Sequence, residues 1–318
     1  MRKIQIAAML FVILGIGSCS KTDRVNDLNA TNDQSSPATN GRLATAAALP
    51  VPPNFKVAYY AFDATPNNLP LTNFAKSGNV VVLFEGTAWE MADSVHYGSS
   101  SAYILTVNPN YHSYKSIIND VRTLQASGVK VLMNVDDATS WNTTTPFTTY
   151  NGTKLTYQQF ASFVKACIID SLHFDGIALD VEHMGSTAAN TNFTNLIKEF
   201  GKYFGPLSSN STSTVYTAAI YDGAQAGFAI GQSPTVAQYL NFVEDMGYFE
   251  NNTTRFNRWA NSIGPSKTMI GVSKQYNSLS NAKTAAAWEP SSGKKAGIMV
   301  FAGNVDSSYT NQIFRAIK

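Results

Sequence analysis

The chain of 318 residues predicts an α/β fold, a single (β/α)8 barrel, and three observations carry that expectation. From residue 54 onward, short apolar runs rich in β-branched residues alternate with segments of helical period. There are eight such runs, the number a closed parallel barrel needs. No Gly-rich phosphate loop follows any of them, which argues against a doubly wound open sheet, the other arrangement of the same units.

Taken in order, strands are expected at 56–62, 79–84, 129–135, 176–182, 215–221, 242–248, 268–273 and 297–302. Between the second and third, Tyr114, Ile117, Ile118, Val121 and Leu124 repeat at helical spacing, and Gly128 ends that helix before the next strand. Phe160, Phe163, Val164, Cys167 and Ile168 define a second amphipathic helix, and Phe193, Leu196, Ile197, Phe200 and Phe204 a third. Later helices are expected at 236–240, 252–263, 282–288 and 309–317. The first unit is the weak one. Residues 65–77 contain Pro66 and Pro70, so its helix is expected to be short or absent.

The strand beginning at Gly176 has the most informative sequence, Gly-Ile-Ala-Leu-Asp-Val-Glu. Extended side chains alternate faces, so Ala178, Asp180 and Glu182 share one face while Ile177, Leu179 and Val181 share the other. The aliphatic face calls for burial under helices. The acidic face ends at the C-terminal mouth, where barrels build active sites. A carboxyl losing hydration there rises in pKa and suits general acid work, while a neighbour stays ionised. Two acids at a strand end also fit a solvated cap; the aliphatic run before them favours a site.

The N-terminus is read as a targeting segment. Met1-Arg2-Lys3 is cationic, and the apolar stretch 6–16 is too short to span a bilayer as a stable helix. It runs into Ile16-Gly17-Ser18-Cys19, which resembles a bacterial lipobox, so residues 1–18 are expected to be a signal peptide and Cys19 the lipidated residue. Ser20, rather than an aspartate, points to the outer membrane, on the cell surface or the periplasmic face. Residues 19–53 are polar, small and Pro-rich, a flexible tether, and 54–318 the folded domain. The net charge of +2 with dispersed basic residues argues against nucleic acid as a partner. Cys167 reads as a lone buried thiol. His96, His112, His173 and His183 show no ligand spacing, so neither a metal nor another cofactor is expected.

With these residues in place the chain resembles glycoside hydrolase family 18. The family signature D-x-x-D-x-D-x-E stands here as Asp175, Ala178, Asp180 and Glu182, with alanine for the middle aspartate. Met246-Gly247-Tyr248 is similar to the family's M-x-Y element, and the run 297–301 to its G-x-M segment. The resemblance implies substrate-assisted retaining hydrolysis. Glu182 would be the acid and base, Asp180 would orient the 2-acetamido group, and Tyr248 would bond its carbonyl oxygen. Ala178, Phe301 in place of a strand-eight tryptophan, and the short link 274–281 point away from chitinases with a deep cleft.

Other candidate contacts are Asp136 and Asp137, which either line the site or cap a loop, and Trp141 and Trp89, which either stack on sugars or pack the barrel end. Tyr59 is an inward tyrosine of open role; Tyr221, Asp222, Met246 and Phe301 complete the substrate-binding set. The expectation is a monomeric endo-β-N-acetylglucosaminidase acting on the GlcNAc-β-1,4-GlcNAc core of N-linked glycans or glycoproteins. The alternatives are a hydrolase of chitin or chito-oligosaccharides, and a glycan-binding lipoprotein without catalysis.

Overall fold

The computed structural model describes residues 55–64, 68–85, 88, 90–92, 103–136, 147–148, 153–181, 187–210, 214–221, 234–248 and 252–317. Eight parallel strands close into a barrel: β1 (Phe55–Ala61), β2 (Val80–Phe84), β3 (Lys130–Asp136), β4 (Gly176–Val181), β5 (Val215–Ile220), β6 (Phe242–Asp245), β7 (Thr268–Ser273) and β8 (Gly297–Phe301). Each pairs with the next, and β8 closes on β1 through Phe55 opposite Gly297.

The alternation read from β4 holds around the barrel. Ile177, Leu179 and Val181 join the outer core with Val131, Met133, Tyr216 and Ile220, beneath the helices. Ala178 belongs instead to the inner core with Val57, Tyr59, Val82, Leu132, Ala219 and Met299. The Phe55 and Phe242 rings, 4.5 Å apart, fill the lower part of that inner core. Gly176 opens β4 at φ 146°, where a Cβ would come within 1.8 Å of the Val215 carbonyl oxygen, so no larger residue lets β4 and β5 approach.

The helices are α1 (Leu71–Phe74), α2 (Tyr103–Val107), α3 (Tyr114–Ala126), α4 (Tyr157–Lys165), α5 (Thr187–Phe200), α6 (Pro234–Ala237), α7 (Asn252–Ile263), α8 (Leu279–Ala287) and α9 (Ser307–Phe314). Among the described residues the first unit has only the single turn α1 after Pro70, in keeping with the short helix that the prolines predicted. Thr156 and Gln159 form a capping box that starts α4, and a π-turn, Ala166–Ser171, continues it and buries Cys167. The helix expected at 252–263 has those bounds. Others differ because caps override periodicity: Ser278 and Asp306 accept from Asn281 and Tyr309 amides and start α8 and α9 earlier than expected. Elements not anticipated include α2 and an antiparallel pair of Phe147–Thr148 with Lys154–Leu155.

Asp175 stands just before β4, at the end of the barrel opposite the acids. Its carboxyl takes Lys130 Nζ at 3.1 Å, the Val131 amide at 3.0 Å and Gln125 at 2.8 Å. The first signature aspartate thus ties β3 to β4 and is a structural residue.

Candidate active site

At the C-terminal mouth, Asp180 is 6% exposed and its β4 neighbour across the ladder is Ala219 on β5. Ala219 in turn pairs with Glu244 on β6. Period-two alternation sends all three inward. Glu244 is fully buried, and its Oε2 accepts a 2.5 Å hydrogen bond from the Tyr59 hydroxyl, which reaches across from β1. Burial pushes the Glu244 carboxyl up to about 8, and the hydrogen bond from Tyr59 offsets only part of that rise. Tyr59 is driven well above the usual phenol range, first by burial and then by Glu244.

Tyr248 follows β6 and is nearly buried. Its ring stacks on Phe301 at 5.8 Å and 20°, and on Tyr276 at 6.4 Å and 12°. Three devices hold it. Gly271 on β7 leaves room, since a Cβ there would sit 2.9 Å from the ring. Asn277 donates to the Tyr248 carbonyl at 2.9 Å. Beneath, Asp245 faces outward and takes Arg255 at 2.6 and 2.9 Å and the Trp259 indole at 3.1 Å, anchoring the end of β6 on α7. That clamp also explains why β6 stops at Asp245 rather than running to 248 as the apolar pattern predicted.

These side chains border a cleft of about 210 Å³. Of the residues singled out from sequence, Tyr59, Asp180, Tyr221, Met246, Tyr248 and Phe301 converge on it. Asp136 lies on β3 directly across from Asp180 in the ladder. Glu182, Asp137, Trp89, Trp141, Asp222 and Cys19 lie outside the described residues. Sequence reasoning missed Phe84, Gln275 and Tyr276 in the lining, and Glu244 behind it. Phe84 and Glu244 share the inward parity of their strands, a signal that was available; Tyr276 is a loop residue with none. Trp259 is fully buried and Trp288 packs on the same core, away from the cleft lining. Among the described residues no cluster of metal-ligating side chains occurs.

Residues 103–300 match the family model described as the endo-β-N-acetylglucosaminidase EndoS TIM-barrel domain. The chain belongs to this family. The EndoS-type barrel agrees with the glycoside hydrolase family 18 resemblance of the β4 signature. A curated relative, endo-β-N-acetylglucosaminidase F2 of Elizabethkingia meningoseptica, is 26% identical over 234 residues, covering 66% of this chain and 62% of that protein. The chain therefore spans less than two thirds of that relative's length. Among solved structures, the endo-β-N-acetylglucosaminidase of Cordyceps militaris superposes with a TM-score of 0.60 at 17% identity, over 83% of this EndoS-type chain and 91% of that one. A mutant of the same enzyme, solved with fucosyl-N-acetylglucosamine-Asn, gives 0.61 at 16% identity over the same shares. A chitinase-like agglutinin of Robinia pseudoacacia gives 0.53 at 14%, over 83% of this chain and 99% of that one. These likenesses show the barrel fold.

Proposed function

We propose that this protein is an endo-β-N-acetylglucosaminidase that hydrolyses the GlcNAc-β-1,4-GlcNAc core of N-linked glycans with retention of configuration. The observation that carries this reading is the convergence of Asp180 and Tyr248 on one cleft at the mouth of a closed barrel. Family membership and the two named relatives support it. The short link 274–278 between β7 and α8 leaves no inserted domain on that side, which suits a branched substrate cut internally.

In the reaction, Glu182 protonates the glycosidic oxygen as the bond to the anomeric carbon breaks. The acetamido carbonyl oxygen of the same sugar attacks that carbon and gives an oxazolinium ion. Asp180 accepts a hydrogen bond from the acetamido N–H and balances the positive charge that develops on it. Tyr248 donates to the acetamido oxygen and holds it below the ring. Glu182, now ionised, takes a proton from water, which opens the oxazolinium and regenerates the acetamido group. No cofactor enters. The mature protein is proposed to act as a monomer tethered to the outer membrane by lipid on Cys19, and to meet its glycoproteins there.

Incubating purified protein with a high-mannose glycoprotein, a complex-type glycoprotein and chitin oligomers, then weighing the products, tests the reading. Release of a glycan that leaves one GlcNAc on asparagine supports it. Cleavage of chitin oligomers alone would make the protein a chitinase, and binding without cleavage a glycan-binding scaffold.

A further inference from the structure

The hydrolytic scheme leaves Glu244 without a task, although it is the most deeply buried acid of the barrel interior. It is 0% exposed, and Tyr59 holds only one of its oxygens. The other, Oε1, has no hydrogen-bond partner. The nearby Thr217 hydroxyl donates instead to the Phe242 carbonyl at 2.9 Å. Among the described residues no ion pair includes Glu244. The cations that could have served are committed elsewhere, Arg255 to Asp245 on the outer face of β6, Lys130 to Asp175, and Lys295 to Glu289. An ionised carboxyl in such a place is costly, and the ordinary outcome is that it keeps its proton.

Its position gives that proton a use. Asp180, Ala219 and Glu244 occupy successive inward places on β4, β5 and β6, so only a methyl group stands between the two carboxyls in the ladder. One layer lower, Ala178 contributes another methyl beside Thr217. Tyr59 faces both acids: it donates to Glu244, and the charges of Glu244 and Asp180 both act on its hydroxyl. The titratable groups facing Glu244 from the packed strands are therefore Tyr59 on β1, Asp180 on β4 and Tyr248 beyond β6. Two ionised carboxyls at this separation would repel in a medium of low dielectric.

We infer that Glu244 is a positioning residue for Asp180: a carboxylic acid that keeps its own proton, steadied by Tyr59, so that Asp180 can carry the negative charge the acetamido N–H requires. This rests on the hydrolytic reading above. No bond forms or breaks at Glu244; it stores a proton and loses it only as the solution becomes alkaline. The rise of its carboxyl to about 8 agrees with that.

The test compares Glu244→Gln and Glu244→Leu with the wild type on a GlcNAc2-core glycopeptide, across pH. Leucine, which leaves the Tyr59 hydroxyl without its acceptor, is expected to lower kcat by about tenfold or more with KM within about twofold. Glutamine keeps the neutral acceptor and is expected to restore most of that loss at about pH 6. The ratio of wild-type to Glu244→Gln kcat cancels the titration of Glu182, which both share. It is expected to fall by about tenfold between about pH 7 and pH 9, as Glu244 ionises only in the wild type. Infrared spectra over the same range should show a protonated-carboxyl band that the glutamine variant lacks. A ratio flat with pH, a missing band, or wild-type kcat in the leucine variant overturns the inference while hydrolysis itself stands. A wild type that cleaves no glycan overturns the hydrolytic reading and this one with it. If the leucine variant does not fold, the ratio and the band decide.

Discussion

Replacing Glu244 by glutamine should change how stability depends on pH, and the size of the change follows from the site. In the unfolded chain this carboxyl keeps its ordinary value of 4.5; in the barrel burial pushes it up to about 8. Between those values the native state holds a proton that the unfolded state has released, so stability falls as pH rises through the window. Three and a half pH units at about 1.36 kcal/mol each make the full loss about 5 kcal/mol. Between about pH 5.5 and pH 7.5 it amounts to about 3 kcal/mol, well above the error of urea unfolding. Glutamine has the same shape and no charge to bury. The wild type should therefore match Glu244→Gln in stability near pH 4.5 and fall steadily below it toward pH 8. All other titrating groups are common to both proteins and cancel. Parallel stability curves would mean that Glu244 titrates alike in folded and unfolded chains and keeps no extra proton in the barrel.

Three further outcomes are expected. Glu182→Gln should lower kcat by about 10²-fold or more while glycan affinity, read by calorimetry, stays near that of the wild type. Arg255→Leu should cost about 3–5 kcal/mol in urea unfolding, because Asp245 is left charged, buried and held only by Trp259. Tyr276→Ala should raise KM roughly threefold to tenfold with little change in kcat, since its ring is half exposed at the end of the Tyr248 and Phe301 stack and is placed to meet a sugar face.

Much of the barrel was legible because its physics is local. Alternation in β4 separated Ala178 and Asp180 from Ile177, Leu179 and Val181, and the cores keep that division. Prolines 66 and 70 announced the stunted first helix. Element ends were less legible, since Ser278, Asp306 and the Asp245–Arg255 clamp set them through contacts that periodicity does not encode. The site divided in the same way. Asp180 and Tyr248 could be found from a strand pattern and a motif. Glu244 sits in a Val-Glu-Asp run, where an acid reads as solvated; its burial depends on Tyr59, 185 residues away in sequence, and only barrel closure brings them together. Asp175 erred in the opposite direction, a signature residue whose partners Lys130 and Gln125 hold it at the far end of the strand.

In the proposed reaction Asp180 and Tyr248 grip the acetamido group that serves as nucleophile. A crystal structure with a GlcNAc-thiazoline glycan, a stable mimic of the oxazolinium ion, tests it most directly. The thiazoline nitrogen is expected within hydrogen-bonding distance of the Asp180 carboxyl, with Tyr248 on the opposite side of the ring. A protein that turns over substrate yet binds the thiazoline elsewhere, or ignores it at saturating concentration, does not use these two residues to hold the nucleophile.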